Sequence, residues 1–499
     1  MIKRMTFKAT LLLMTVLSCL PTGLRAQIQR PRLVVGLVVD QMRWDYLYYY
    51  YNQYGEGGLR RLVDGGYSFE NTHINYVPTI TAVGHAAIYT GTVPAFNGIV
   101  GNNFFIKGKS VYCCEDKSVQ TVGSQSTEGQ MSPRNLEANT IGDMLKLATD
   151  FKAKVIGVAL KDRAAILPAG HSADAAYWWD TSAGHYISST YYMNELPQWV
   201  QQFNKEHKTK PGFNIKMSPD GVSKTFEMAT AALENEALGQ DDITDLLAVS
   251  ISSTDAISHE YGTRSDENKA AFMQLDKDLT RFLDVLDKKV GRGNYLLFLT
   301  ADHGGAHNPN YLKSHKIPSG GLASWEWPKK LNQQLGEQFG AGSNFVRGIN
   351  SGKVYLDHEA ITKAGLQVAD VKQAVIRLLR QDSRLQYVVA YDQVLTESIP
   401  APLRERIVNG YNRERSGDIY FAPRPGIIDA SDAADYRGTN HSQWNPFDAH
   451  IPFVLYGWNV SHGRSNREAH IVDIVPTVCS MLHIQMPNAC TGTSLEADR

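Results

Sequence analysis

Short apolar runs recur along the chain, each closing on polar residues. They are R-L-V-V-G-L-V-V-D from Arg32 to Asp40, K-V-I-G-V-A-L from Lys154 to Leu160, T-D-L-L-A-V-S-I-S from Thr244 to Ser252, Y-L-L-F-L-T from Tyr295 to Thr300, and Ile451 to Tyr456. Runs this short, rich in β-branched residues and without alternation, predict strands buried on both faces, as in parallel sheets. Tyr67 to Thr72 predicts a further strand. Helical patterns fall between them. Gly57 to Val63 suits a helix, and Ala82 to Tyr89 reads as a fully buried one. Behind a Ser265 cap, Phe272, Leu275, Leu279, Phe282 and Leu286 recur at helical spacing, a stripe that packs a core. Later, Glu359 to Arg380 predicts helix and Gly417 to Phe421 a strand. The alternation predicts an α/β fold, a doubly wound, mostly parallel central sheet flanked by helices, with ligands at the carboxyl ends of its strands.

Polar residues at those ends carry the candidate chemistry. The first run ends in Asp40, the Thr244 run leads into Asp255 and His259, and the Tyr295 run ends in Asp302-His303; His441 precedes the last strand. Asp255 and His259 are four apart and share a face if a helical turn follows the strand. One acid at a strand end is usually a cap or turn former. Several at one sheet edge, with His441, form a mixed Asp/His set that suits Zn²⁺ and suffices for two ions. Thr81 stands directly before the predicted buried helix, where free N–H groups and the helix dipole favour an alkoxide and a phosphate; helix capping is the plainer role for Thr79 and Thr81. Lys161 and Arg163 follow the Lys154 run two residues apart. In extended geometry both side chains point one way, with Asp162 opposite.

With 43% hydrophobic and 20% charged residues, the 499-residue chain is long enough for one large core with insertions. A net charge of -1 gives no electrostatic ground for a nucleic-acid or anionic-membrane partner. Lys3, Arg4 and Lys8, the apolar run Ala9 to Leu20, and Leu24-Arg25-Ala26 read as a secretory signal peptide over residues 1–26. Its apolar run is about 12 residues, short of the ~20 that span a bilayer, and no later stretch is long enough. A lipid anchor at Cys19 fits less well because of Leu17. The expected address is therefore periplasmic or secreted. Residues 27–499 are expected to form one catalytic domain with insertions at about 104–226, crowded with aromatics such as Tyr177, Trp178 and Trp179, and 306–435. Cys113, Cys114, Cys479 and Cys490 remain, of which Cys479 and Cys490 would close a short loop; none has zinc-site spacing.

The ordered series strand-D, P-T-x-T-x-x-G-H, D-x-x-x-H, A-D-H-G and G-T-x-H resembles the alkaline phosphatase superfamily. Within it the match is to the nucleotide pyrophosphatase/phosphodiesterase branch, and more closely to the secreted threonine-type alkaline phosphatases, the PafA type. The resemblance covers nearly the whole mature chain. It implies one zinc on Asp255, His259 and His441, and a second on Asp40, Asp302 and His303 completed by Thr81, the nucleophile. It also implies that Asn102, Lys161 and Arg163 bind the transferred phosphate, and leaves His85, His307 and His450 as structural. Two zinc ions about 4 Å apart clamp the attacking and leaving oxygens of an in-line displacement. The expected activity is hydrolysis of small-molecule phosphate monoesters through a phosphothreonine. The alternatives are a phosphodiesterase or nucleotide pyrophosphatase on the same metals and, from another class, an inactive metal- or glycan-binding protein, against which the intact Thr81 and ligand set argue. A sulfatase would resemble C-x-P-x-R where this chain has P-T-I-T-A, and a phosphoglycerate mutase conflicts with export.

Overall fold

The central strand is Leu33–Val39, every residue of it buried. A computed structural model describes residues 29–340 and 344–496; the candidate signal segment lies outside the described residues. Leu33–Val39 pairs in parallel with Asp245–Ile251 on one side and Tyr295–Thr300 on the other. The registers are matched. Val38 lies opposite both Ser250 and Thr300, so Asp40 and Asp302 emerge at one height, with Ser253 and Asp255 just beyond. The complete sheet has ten strands in the order Gly463–His470, Tyr67–His73, Phe453–Gly457, Tyr295–Thr300, Leu33–Val39, Asp245–Ile251, Val155–Ala159, Ala175–Asp180, His185–Ser189, Thr121–Val122. It is mixed. Phe453–Gly457 runs antiparallel to both neighbours, and the far edge beyond Ala175–Asp180 is antiparallel as well.

Residues 104–226 thus contribute strands to the main sheet, Val155–Ala159 next to the Asp245 strand among them. Residues 306–435 build a separate four-stranded antiparallel sheet in the order Val346–Asn350, Lys353–Leu356, Ile419–Pro423, Leu385–Ala390. It has its own core, including Leu335, Phe345, Val375 and Phe421. The helical stretches expected over Glu359 to Arg380 are two helices, His358–Lys363 and Val368–Arg380. Gly365, at φ +76°, ends the first turn run in a left-handed conformation. The Ser265 cap is present, its hydroxyl accepting from the Asn268 N–H, and the Phe272 stripe is buried.

The four described thiols are free, so the expected Cys479–Cys490 loop is not closed. Cys479 packs inside the apolar Ile474–Leu482 helix, where burial pushes its thiol up, while Cys490 Sγ faces the Gly492 carbonyl at 3.9 Å. Cys113 and Cys114 are both buried, with their sulfurs 4.0 Å apart. Among the described residues no helix is long and apolar enough to cross a membrane.

The second sheet also buries a lysine. Lys353 is 1% exposed and its ammonium donates to the Val100 carbonyl at 2.8 Å. Burial pulls its pKa down to about 7. Below that value both folded and unfolded chains carry the proton, and the burial penalty is fully felt. Between it and the ordinary lysine value only the unfolded chain is protonated, so stability rises with pH by at most about 1.4 kcal/mol per unit. Lys353→Met is therefore expected to gain stability relative to the parent most at pH 6 and progressively less toward pH 10. A difference in Tm between the two proteins that stays constant over this range would contradict it.

Candidate active site

The sheet edge gathers the expected residues. Asp40, Asp302 and His303 are fully buried, with Asp255 and His441 nearly so. Asp255 and His259 do share a helical face, on Ser253–Tyr261, with Asp255 Oδ1 3.1 Å from His259 Nε2. Two overlapping groups have ligand atoms within 4.8 Å of one another: Asp40, Asp302 and His303, and Asp255, His303 and His441. His259 joins the second, its Nε2 lying 3.2 Å from His441 Nε2.

Hydrogen bonds settle the histidine tautomers. Nδ1 of His259 meets the Thr439 carbonyl at 3.0 Å, Nδ1 of His441 the Thr79 carbonyl at 2.7 Å, and Nδ1 of His303 the Gly304 carbonyl at 2.8 Å. A carbonyl only accepts, so each Nδ1 carries a hydrogen; the Nε2 atoms of His303 and His441 present lone pairs inward, while that of His259 pairs with the Asp255 carboxylate, which raises the His259 pKa against its burial. Those lone pairs converge with carboxylate oxygens. His303 Nε2, Asp40 Oδ1 and Asp302 Oδ2 are buried without any hydrogen-bond partner, a costly arrangement for polar atoms. Electron pairs facing one another in a dry pocket are what a bound cation requires, and the backbone contacts behind the imidazoles are the usual support for ligating histidines. The residues fit a divalent metal ion.

The electrostatics agree. Burial, together with the charges of Asp255 and Asp302, raises the Asp40 carboxyl well above its usual range. Burial opposes ionisation of Asp255 too, but His259 and Lys161 hold it well below. Lys161 links the groups, its ammonium 2.6 Å from Asp40 Oδ2 and 2.5 Å from Asp255 Oδ2. These two contacts keep the lysine protonated against its own burial. Burial and the neighbouring His303 and His259 push His441 well below the ordinary histidine value, so it is neutral, as a ligand must be.

Thr81 opens the Thr81–Thr90 helix, all of it buried. The hydroxyl of Thr79, by contrast, is engaged, donating to the Gln443 carbonyl at 2.8 Å. The helix start lies tight against the Asp302 strand end, because Gly84 leaves a space in which a Cβ would stand 2.2 Å from the Asp302 carbonyl oxygen. Asn102 caps this end: its Oδ1 accepts the Ala82 N–H at 3.0 Å, which leaves the amide NH₂ free to donate. Lys161 and Arg163 are not in an extended run. A helix starts at Asp162, so Lys161 is its N-cap residue in extended conformation and Arg163 lies in the first turn. Their side chains part accordingly. Lys161 reaches the acids, while Arg163 donates from its terminal nitrogen to the Tyr112 hydroxyl at 3.1 Å, with its Nε buried and unpaired.

Two participants carried no sequence signal. Gln41, in a left-handed conformation at φ +61°, donates from its backbone to Asp302 and from its amide to Asp255 at 2.6 Å, bridging the acids. Tyr112 donates to Asp162 at 2.6 Å while accepting from Arg163. The histidines expected to be structural are accounted for locally. His85 lies between the Thr81 carbonyl and Ser250, His307 between Arg43 and Thr263, and His450 is stacked on Trp44.

A mixed sheet with this edge defines a class: residues 34–444 match the type I phosphodiesterase / nucleotide pyrophosphatase family, and the chain belongs to it. It is 43% identical to alkaline phosphatase PafA of Elizabethkingia meningoseptica, over 93% of this chain and 94% of that protein. Identity is also 43% to alkaline phosphatase PhoV of Synechococcus elongatus, over 95% of this chain and 94% of that one. The crystal structure of wild-type PafA superposes with a TM-score of 0.90 at 42% identity, covering 94% of this chain and 99% of the other.

Asp302→Ala and His441→Ala are each expected to lose bound divalent metal and activity together, measured by elemental analysis beside turnover. Full metal content with unaltered turnover would remove the residue from the ligand set.

Proposed function

We propose that this chain, a phosphatase of the PafA and PhoV type, hydrolyses small-molecule phosphate monoesters through a phosphothreonine on Thr81. In this reading Asp255, His259 and His441 hold one zinc ion, and Asp40, Asp302 and His303, with Thr81, hold the other. The observation that carries it is the convergence of three imidazole Nε2 atoms and unpaired carboxylate oxygens beside the helix that Thr81 opens. Residues 27–499 act as one catalytic domain with insertions, and the address is periplasmic or secreted, the first 26 residues being a signal peptide.

The Thr81 hydroxyl gives up its proton to solvent and attacks phosphorus, and the leaving oxygen takes up a proton from solvent as it departs. A threonine–phosphorus ester forms as the bond to the leaving oxygen breaks; water then cleaves the phosphothreonine, releasing inorganic phosphate and restoring Thr81. Zinc, when bound, supplies the charge that lowers the pKa of hydroxyl and water and stabilises the departing oxygen. Asn102 donates its free amide hydrogens to the transferred group. With Asp40 and Asp255 engaged as ligands, the Lys161 ammonium would be free to donate to a nonbridging oxygen, and Arg163 would supply a second cationic donor. A solved PafA variant substitutes a threonine, an asparagine, a lysine and an arginine, with the same threonine-to-asparagine and lysine-to-arginine separations as Thr81 and Asn102 and as Lys161 and Arg163 here.

Cationic donors distinguish monoester from diester. A monoester dianion offers charge on each nonbridging oxygen, whereas a diester replaces one with an ester group that takes no charge-assisted bond. Removing a buried partner of a charged group commonly costs ~2–5 kcal/mol, roughly 30- to several-thousand-fold in rate constant. Lys161→Ala with Arg163→Ala is expected to lower kcat/KM for an aryl phosphate monoester far more than for its methyl diester. Equal losses, or a parent enzyme that prefers the diester, would instead support the phosphodiesterase reading.

Acid quenching during turnover, followed by peptide mapping, is expected to find phosphate on Thr81. A label on Thr79, whose hydroxyl is already engaged, would displace Thr81 as nucleophile.

A further inference from the structure

Gln41 follows Asp40 at the end of the central strand, and its backbone is unusual. The Met42 N–H donates to the Val39 carbonyl at 3.1 Å, closing a four-residue turn with Gln41 in third place at φ +61°. Glycine or asparagine ordinarily fills such a position, because other side chains crowd the backbone there. The side chain adds a second unfavourable feature. Gln41 is 1% exposed, and among the described residues its Oε1 is buried without a hydrogen-bond partner. Features of this kind persist where the surrounding structure enforces them, and they gather at functional sites.

What the conformation secures is contact with two acids at once. The Gln41 backbone N–H donates to Asp302 Oδ1 at 3.2 Å, and Nε2 donates to Asp255 Oδ1 at 2.6 Å. A carboxylate only accepts, so the nitrogen of the amide is the atom that faces Asp255. That same Oδ1 stands 3.1 Å from His259 Nε2 and 3.7 Å from His441 Nε2. Asp255 thus meets both histidines in an orientation set by Gln41 on one oxygen and Lys161 on the other. In the reading above, on which this inference rests, Lys161 is freed for the transferred phosphoryl group. Gln41 then remains on Asp255, and a neutral amide orients a carboxylate without opposing a cation bound there.

The opposite wall shows how the amide is held. A Cβ on Gly305 would stand 2.9 Å from Gln41 Cδ and Oε1 and 3.0 Å from its Cγ, and these are the three nearest atoms. Gly305 has no positive φ that would itself call for glycine. The room it leaves is taken by Gln41. We propose that Gln41, seated against Gly305, is a positioning residue that fixes Asp255 relative to Asp302 and so sets the metal affinity of the Asp255, His259 and His441 group.

The test titrates the metal-free parent, Gln41→Met and Gly305→Ala with Zn²⁺ against a chromophoric chelator, and measures kcat and KM for phenyl phosphate at each metal level. Methionine keeps the length of the side chain and removes the donor. Gln41→Met is expected to weaken one of two bound ions by about 10- to 100-fold, the usual effect of losing a partner behind a metal ligand, and to leave the other near its parental affinity. Where only the tighter site fills, kcat should fall while KM changes little, because Asn102, Lys161 and Arg163 are untouched. Gly305→Ala keeps the amide but displaces it, and should reproduce both effects. A merely structural role would lower the Tm of the metal-free variants and leave metal affinity unmoved; that result, or parental affinity in Gly305→Ala, overturns the proposal. A parent protein that takes up no divalent metal would remove the two-metal reading, and the proposal with it.

Discussion

Burying Asp40, Asp255 and Asp302 together is the constraint around which this molecule is built. Three carboxylates in a dry pocket repel one another, and each loses its hydration. The rise of the Asp40 carboxyl above its usual range is the signature of that conflict. The sheet nevertheless enforces it, because the matched registers of three parallel central strands bring the acids to one level. Positive charge has to be supplied locally. Lys161 and His259 supply part of it through contacts to Asp40 and Asp255, and the inward lone pairs of His303 and His441 prepare the pocket for more. Removing one partner of a buried charged pair commonly costs about 3–5 kcal/mol, so the cluster ties stability and chemistry together.

The parts legible in the sequence are those where one local rule decides the outcome. Leu33–Val39 is strand because a β-branched run without polar alternation has no other stable use in a sheet buried on both faces. Asp255 and His259 share a face because helical geometry requires it once Ser253 starts the turn. Lys161 and Arg163 show where local reasoning fails. The strand before them was readable, but the helix beginning at Asp162 was not, and it sends the two side chains to different partners. Antiparallel insertion of Phe453–Gly457 was equally hidden, since an apolar run does not state its direction. The cysteines obeyed packing rather than parity, Cys479 filling a core position as a small hydrophobe.

Long-range placement explains the rest. Asn102 sits in a Gly/Asn-rich loop whose own chemistry suggests only a turn, yet the loop is held from the second sheet. Lys353 donates to the Val100 carbonyl from 253 positions away, and Asn350 donates to the Asn103 carbonyl at 2.5 Å. The hairpin that follows is tied back through Cys113, whose N–H donates to the Asn102 carbonyl at 2.9 Å, and through Tyr112, which holds Arg163 and Asp162. Contacts of this kind have no periodicity for a sequence to display.

This leads to a division of labour within the edge. The acids and histidines stand at the ends of central strands or on the turns directly after them, where movement would disrupt the largest core in the molecule. Asn102 and Arg163 depend instead on a hairpin and on a smaller sheet with a separate core. Hydrogen bonds join these parts, among them Arg415 to the Gly98 and Asn135 carbonyls and Asn409 to the Asn75 carbonyl, and each contributes on the order of 1 kcal/mol. Sequence change in the outer layers can therefore alter the surroundings of Asn102 and Arg163 while leaving the cluster of acids and histidines standing.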